Sequence, residues 1–255
     1  MTKITVNKKQ FNSFLNTFGK DLRDIKLQAT EGKLIGTVGF VTHYLRRSMI
    51  ATVETAGPLI ISDLKKVREL INAGKQDVVS LNQPKPTSML FVTCDKVKMS
   101  LPTSTYIHSA ASTHLIEKVI NNSIKSKWTT WADQKLDCFA HINADDIKPI
   151  TKMGKVLGIA NNADMGCKVK FDTADSEMTI YAGKPSKAQM FVQIPLKFVD
   201  GPKTQVSSSF GKWLPKVTGS LPDGVLHYRM GEDTVMVIQQ EDTDLLLIVF
   251  DEMGG

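Results

Sequence analysis

The sequence predicts an α+β protein made of two similar β-rich halves, each with two helices packed on antiparallel sheets. Three observations support this prediction. Short apolar runs that alternate with polar residues occupy most of the 255 residues. Only four segments show the 3.6-residue period of an amphipathic helix. One strand, a helix, four strands, a second helix and three strands occur twice in that order, which indicates an internal repeat.

The first half opens with a strand and a helix, for which Asn7 is the expected N-cap and Gly19 the expected stop. Its second helix follows Ser62 and ends at Gly74. Runs rich in β-branched and aromatic residues, separated by Pro, Asp and Lys, predict the strands. The predicted elements are strands 3–7, 25–30, 33–41, 44–53, 58–62, 77–83, 88–94 and 96–102, and helices 8–20 and 63–74.

The second half follows the same order of elements. Its first helix begins near Asp146 and places Ile147, Ile150 and Leu157 on its apolar side. Its second helix contains Pro215, which a helix tolerates only near its start. The predicted elements are strands 138–143, 167–173, 177–183, 188–199, 204–210, 225–230, 234–240 and 244–251, and helices 144–159 and 211–221.

A polar segment of mixed composition, residues 104–136, separates the two halves. It is interpreted as a connector in which residues 113–122 form one or two helical turns. The expected organisation is therefore a first domain at 1–109, a connector at 110–136 and a second domain at 137–255.

The composition indicates the compartment and the kind of partner. The formal net charge is +6 and the pI is about 9.1, which is compatible with a nucleic-acid partner. Three widely spaced cysteines predict a reducing compartment without disulfides. The sequence shows no secretory signal pattern, and its longest apolar run, 245–250, is too short to cross a bilayer. A cytoplasmic protein that does not bind a membrane is therefore expected.

Each of the four predicted helices carries basic side chains opposite its apolar residues. Ordinary surface helices mix charge signs, but Glu69 is the one acid on these faces, because Asp145 and Asp146 stand at a helix start. A charged face often means only contact with solvent, and that interpretation stays open. The shared polarity favours duplex DNA, whose phosphates lysine contacts without reading sequence. The candidate DNA-binding residues are Lys9, Lys20, Lys65, Lys66, Arg68, Lys148, Lys152, Lys155, Lys212 and Lys216.

No catalytic or metal-binding pattern is recognisable. His108 and His114 lie in the connector without a nearby cluster of cysteines or carboxylates. The segment 211–220 contains Gly, Lys, Thr and Ser but lacks the spacing of a phosphate loop. The sequence therefore predicts a protein that is not an enzyme and has no catalytic residues, metal or cofactor. The alternatives are an enzyme without a visible motif and a β-rich virion or assembly protein.

The order of elements resembles that of the DNA polymerase sliding clamps, the processivity factors of replication. Segment 193–230 is most similar to the clamps of tailed bacteriophages. The resemblance implies two domains per subunit, a homotrimeric ring, helices that line the hole, and tethering of the replicative polymerase to encircled duplex DNA. The segments that carry it are ITVNKKQFNSFLNTFG, LIISDLKKVRELINAGKQDVVSL, HINADDIKPITKMGKVLG and GVLHYRMGEDTVMVIQQEDTDLLLIVFDE.

The resemblance also implies partners. These are a DNA polymerase, an ATP-driven clamp loader and other proteins that dock short peptides in a groove. The implied lining residues of that groove are Phe40, His43, Tyr44 and Phe250. Burial of Tyr44 and Phe250 in the core is the alternative for these two residues.

Two further expectations follow from the resemblance. Edge strands would pair across subunits, so that KVKMSLP (96–102) of one subunit meets AQMFVQIP (188–195) of the next. Clamps tend to be acidic, whereas this chain is basic, so some positive charge is expected outside the hole. The candidates for that charge are Arg46, Arg47, Lys184, Lys187 and Lys203.

Overall fold

The computed structural model describes residues 1–19, 21–103, 113–156, 166–183, 189–201, 205–211, 214–240 and 243–251, with only the backbone at 113–115, 153–155 and 216. The chain divides into two compact units. The first comprises Met1–Phe40, Leu45–Thr113 and Glu241–Leu245, and the second comprises Val41–Tyr44, His114–Gln240 and Leu246–Gly255. None of the helices in the described residues is long and apolar enough to cross a membrane.

The first unit packs its helices on antiparallel sheets, with strand orders β5-β1-β7-β8-β9 and β4-β3-β2-β6. Alternation along β1 turns Ile4 and Val6 inward, and Ile4 lies opposite the equally buried Leu81 of β7. The elements are β1 (Thr2–Asn7), α1 (Lys8–Thr17), β2 (Ile25–Thr30), β3 (Lys33–Gly39), β4 (His43–Ile50), β5 (Thr52–Thr55), β6 (Gly57–Ile61), α2 (Leu64–Ala73), β7 (Val78–Gln83), β8 (Leu90–Cys94) and β9 (Val97–Leu101).

The second unit has sheets in the orders β16-β12-β18-β19-β20 and β15-β14-β13-β17, and a short β10-β11 hairpin. Its helices are α3 (Thr113–Lys125), α4 (Ala144–Ile147), α5 (Pro149–Val156) and α6 (Leu214–Thr218). Its strands are β10 (Thr130–Trp131), β11 (Gln134–Lys135), β12 (Cys138–Asn143), β13 (Cys167–Asp172), β14 (Glu177–Gly183), β15 (Gln189–Pro195), β16 (Phe198–Asp200), β17 (Gln205–Phe210), β18 (Val225–Met230), β19 (Met236–Gln240) and β20 (Leu245–Val249).

The predicted repeat extends to strand pairing. β1 lies between β5 and β7, and its counterpart β12 lies between β16 and β18. Likewise β2 lies between β3 and β6, and β13 lies between β14 and β17. The predicted α+β class with repeated antiparallel halves is therefore confirmed.

Among the described residues of each half, five strands separate the two helical regions, although four were predicted. The predicted strand 44–53 breaks at Ala51, so that β4 lies beside β3 while β5 pairs with β1. The predicted strand 188–199 breaks at Leu196 and Lys197, so that β15 pairs with β14 and β16 pairs with β12. Each break moves the chain from one sheet to the other.

The predicted connector contains more structure than one or two helical turns. Its described part contains the 13-residue helix α3 and the β10-β11 hairpin. Ile120, Trp128, Trp131 and Leu136 of this segment are buried in one cluster of the second unit. The predicted helix 144–159 is divided into α4 and α5, because Pro149 has no N–H for the helical hydrogen-bond ladder.

Candidate nucleic-acid interface

Helix α1 presents Lys9 to solvent. Asn7 caps the helix as predicted, since its side chain accepts a hydrogen bond of 3.1 Å from the Gln10 N–H. Phe11 and Phe14 are buried on the opposite face. Within the described residues, the exposed side chain of Lys9 forms no ion pair. Lys20 lies outside the described residues.

Helix α2 presents Lys65 and Lys66. Asp63 caps the helix by accepting a hydrogen bond from the Lys66 N–H at 3.1 Å. This backbone hydrogen bond is the main cause of the lowered pKa of Asp63. Its carboxylate also lies 3.3 Å from Lys66 Nζ, and Glu69 lies 4.0 Å from Lys65 Nζ. Exposed pairs contribute only about 0–1 kcal/mol, so phosphates can compete for both lysines.

Two arginines in the first unit bind the C-terminal part of α1. Arg68 is half-buried and donates to the carbonyls of Leu15 and Gly19, both at 2.8 Å. Arg47 is buried and donates to Ser13 O at 3.1 Å and to Thr17 Oγ1. Burial lowers the pKa of both guanidinium groups. Both arginines therefore hold α1 in place, and a DNA contact by Arg68 stays a prediction.

The burial of Arg47 corrects the expectation that it adds charge to the surface. Arg46 is exposed, and its place outside the hole stays a prediction. The other candidates for charge outside the hole, Lys184, Lys187 and Lys203, lie outside the described residues.

Lys148 follows α4. The sequence predicted a lysine face without acids, but two carboxylates contact this side chain. Its Nζ forms ion pairs with Asp145 and, at 2.7 Å, with Asp223. Hydrogen bonds to Asp145 and then Asp223 raise the pKa of Lys148, and the same contact lowers the pKa of Asp223. Asp145 was visible in the sequence three residues earlier, but the proximity of Asp223 depends on tertiary folding.

Helix α5 presents Lys152, and packing against α6 fixes its position. Ile147 and Ile150 are fully buried, as the predicted apolar side requires. Thr151 Oγ1 donates to Pro215 O at 3.1 Å, and a Cβ on Gly219 would lie 2.0 Å from Thr151 Oγ1. A side chain at position 219 would therefore displace Thr151 Oγ1 from this hydrogen bond.

Lys152 is exposed and, in the part of the chain that the structure describes, forms no ion pair. The positions of the Lys155 and Lys216 side chains, and of Lys212 as a whole, lie outside the described residues.

The implied peptide groove has to be revised at Tyr44. This side chain is 1% exposed and lies in the core with Trp128, Trp131 and Val237. The alternative of a core position therefore applies to Tyr44. Phe250 is half-buried with its ring centroid 6.3 Å from that of Trp131.

The two remaining groove candidates are also half-buried. His43 Nδ1 is hydrogen-bonded to Thr42 Oγ1 at 3.0 Å in the second unit. Phe40 belongs to the first unit. Neither observation shows whether His43 and Phe40 line a groove, so that role stays a prediction.

The two strands implied in subunit pairing occupy edges. In the described chain, β9 is the last strand of its sheet, and β15 is the last strand of its own. Val97 of β9 and Phe191 of β15 expose 53% and 64% of their surface. Edge strands with exposed apolar side chains favour pairing with another chain.

Solved structures share the fold over the whole chain, although no protein-family model and no curated protein sequence matches. The PCNA of Thermococcus kodakaraensis superposes with a TM-score of 0.70 at 13% identity, covering 99% of this chain and 100% of that one. A DNA polymerase III β subunit from Thermotoga maritima gives a TM-score of 0.71 at 11% identity, covering 100% and 66%.

The Helicobacter pylori β clamp gives a TM-score of 0.68 at 16% identity and covers 99% of this chain. This chain spans 64% of the length of that clamp. The superposition on PCNA covers both halves of this chain. The chain therefore has the fold of the DNA polymerase sliding clamps.

Proposed function

We propose that this chain is the subunit of a sliding clamp that encircles duplex DNA and tethers a replicative DNA polymerase for processive synthesis. The observation that carries the proposal is the clamp fold over the whole chain, together with exposed lysines on helices of both units. Lys9, Lys65 and Lys66 provide positive charge in the first unit, and Lys148 and Lys152 provide it in the second.

The lysines suit a protein that moves along DNA. Carboxylates already pair with three of these lysines, Lys65, Lys66 and Lys148. Exchange of such a carboxylate for a phosphate therefore adds little free energy of binding. Lysine contacts to phosphates carry no sequence information. In this proposal, closure of the ring retains the protein on DNA, and weak contacts let it slide.

The ring is proposed to be a homotrimer in which β9 of one subunit pairs with β15 of the next. Both strands lie at sheet edges in the described chain, and both expose apolar side chains. Closed head-to-tail assembly would cover these edges. We also propose that the protein is a clamp of the tailed-bacteriophage kind rather than a cellular clamp.

The proposed partners are a polymerase, an ATP-driven loader and proteins that dock short peptides. A Helicobacter pylori β clamp has been solved with a DNA ligase peptide bound. An Archaeoglobus fulgidus PCNA has been solved with the C-terminal region of FEN-1 bound. By analogy, peptide docking is proposed for this chain, with Phe250 and His43 as candidate contacts.

The decisive experiment combines imaging with retention on DNA. Negative-stain images of crosslinked protein should show closed rings, and loaded protein should stay on nicked circular DNA but leave after linearisation. Equal release from circular and linear DNA, together with a monomeric mass at every concentration, would contradict the proposal.

A further inference from the structure

Strand β17 ends its sheet in the described chain, but a turn of the same chain binds the backbone groups on its open side. The Ser207 N–H donates to Glu232 Oε2 at 2.7 Å, and the Asp233 N–H donates to Ser207 O at 2.9 Å. The Ser207 hydroxyl also donates to Glu232 Oε1 at 3.1 Å. Backbone groups of alternate residues point to opposite sides of a strand, so those of Ser207 point away from β13. The turn between β18 and β19 therefore lies where another strand would pair.

The first unit repeats this arrangement at β6, the counterpart of β17. Strand β6 also ends its sheet in the described chain, and the Ile60 N–H donates to Gln83 Oε1 at 2.9 Å. Gln83 is 1% exposed, and its Nε2 donates to Ser88 O at 3.0 Å and to Thr103 Oγ1 at 3.2 Å. These contacts fix the orientation of the amide, so that its oxygen faces β6.

The two accepting side chains come from corresponding places in the repeat. Gln83 is the last residue of β7 and lies opposite Thr2, the first residue of β1. In the second half, Met230 ends β18 and lies opposite Cys138, the first residue of β12. Glu232 follows Met230 by two residues. The same arrangement, built with different residue types in the two halves, indicates a shared role rather than one accidental contact.

We propose that Glu232 and Gln83 are edge-protecting side chains that stop β17 and β6 from pairing with a second copy of this chain. Unpaired N–H and C=O groups at a sheet edge are a template for strand addition, and proteins cover or charge such edges to prevent it. The proposal rests on the ring described under the proposed function and adds how its subunit contact is selected. Closure of β6 and β17 leaves that contact to β9 and β15.

The test compares Glu232→Ala with Glu232→Gln in the full-length protein. Glu232 is exposed, so neither change should prevent folding. Glu232→Ala removes the acceptor of the Ser207 N–H, so amide hydrogen exchange in β17, followed by mass spectrometry, should become about tenfold faster or more. Sedimentation velocity at rising concentration should then show assemblies heavier than those of the wild type. Glu232→Gln keeps a side-chain acceptor like that of Gln83 and should match the wild type in both measurements.

A second change locates the new contact on β17. Ser209 lies two residues after Ser207 in this strand, so its backbone groups also point to the open side. Ser209→Pro therefore removes an N–H from the edge without breaking the pairing with β13. Combined with Glu232→Ala, it should return the distribution of masses to that of the wild type.

Three outcomes overturn the proposal. They are a folded Glu232→Ala protein with the wild-type mass distribution at every concentration, equal association of Glu232→Gln, which would assign the effect to lost charge, and heavier assemblies that persist in Glu232→Ala/Ser209→Pro. Each variant is compared with the wild type. A monomeric wild type would therefore contradict the ring alone, and added association of Glu232→Ala relative to it would still support edge protection.

Discussion

The exposed lysines of the second unit differ in whether a carboxylate already binds them. Lys148, between α4 and α5, is bound by Asp145 and Asp223, whereas Lys152 of α5 has no ion-pair partner among the described residues. A lysine that must leave two carboxylates gains less from a phosphate than one that leaves only water. Equal formal charge therefore does not mean equal contribution to DNA binding.

The first prediction compares these two residues. Lys152→Ala should lower the slope of log affinity against log salt by up to ~1, because one phosphate contact is lost. Lys148→Ala should have a smaller effect. Asp223→Asn should strengthen DNA binding, since it releases Lys148 from one partner. Fluorescence anisotropy with linear duplex DNA at several salt concentrations measures all three variants.

The matched control is Lys168→Ala, which removes an exposed lysine from strand β13 of the same unit. It should leave the salt slope unchanged. If Lys168→Ala and Lys152→Ala weaken binding equally, the effect reflects net charge alone, and the assignment of the helix face to DNA fails.

The second prediction concerns Tyr44, which is buried among the tryptophans of the second unit. Tyr44→Ala should lower the free energy of unfolding by about 3–5 kcal/mol, as large-to-small aromatic substitutions in cores do. Exposed Tyr181→Ala should stay within about ±0.5 kcal/mol. Urea unfolding followed by fluorescence tests both. Similar small losses for the two variants would show that Tyr44 is not a core residue in solution.

At the scale of elements, local patterns predicted the helices better than the bends. Asn7 and the spacing of Phe11 and Phe14 predicted α1, because capping and periodicity act within a few residues. The breaks at Ala51 and Leu196 had no such signal, since strand-like residues continue through them. Which sheet each piece joins depends on partners far away in the sequence.

The candidate site shows the same division between local and distant information. The outward positions of Lys9, Lys65 and Lys152 were predictable from helical period, and their exposure agrees. The pairing of Lys148 with Asp223 was not, because 75 residues separate them.

The third prediction concerns the start of α2. Asp63→Ala should lower the free energy of unfolding by about 1 kcal/mol, because the Lys66 N–H loses its acceptor. The pKa of Asp63 is lowered in the folded protein by this hydrogen bond. Its contribution is therefore fully present above the unfolded pKa of about 4 and is lost as the pH falls through the folded value.

Urea titrations of the wild type and Asp63→Ala at several pH values measure this contribution. The difference between the two proteins should shrink as the solution becomes acidic. Glu69→Ala, an exposed change on the same helix, is the control and should cost little at neutral pH. A difference for Asp63→Ala that grows toward low pH would contradict the capping role.

At the scale of the whole molecule, repetition gives each half a sheet of the same construction. The strand order around β1 reappears around β12, and the order around β2 reappears around β13. Two strands of the described chain, β9 in the first half and β15 in the second, end their sheets and carry exposed apolar residues. In the proposed trimer these two edges join head to tail, and such a contact forms a ring when the rotation between subunits closes.

The last prediction tests that closure. Phe191→Asp on β15 places a charge on the proposed contact with β9 and should reduce the assembly from three chains to single chains of 28.2 kDa. The new carboxylate would be buried against apolar surface. The free-energy cost of burying this charge should exceed the free energy gained by pairing the two edge strands. Ile50→Asp is the matched control, because Ile50 is 76% exposed and lies on neither strand. Sedimentation velocity at micromolar concentration distinguishes the species. A trimer that persists in Phe191→Asp, or one that dissociates equally in Ile50→Asp, would exclude β15 as the subunit contact.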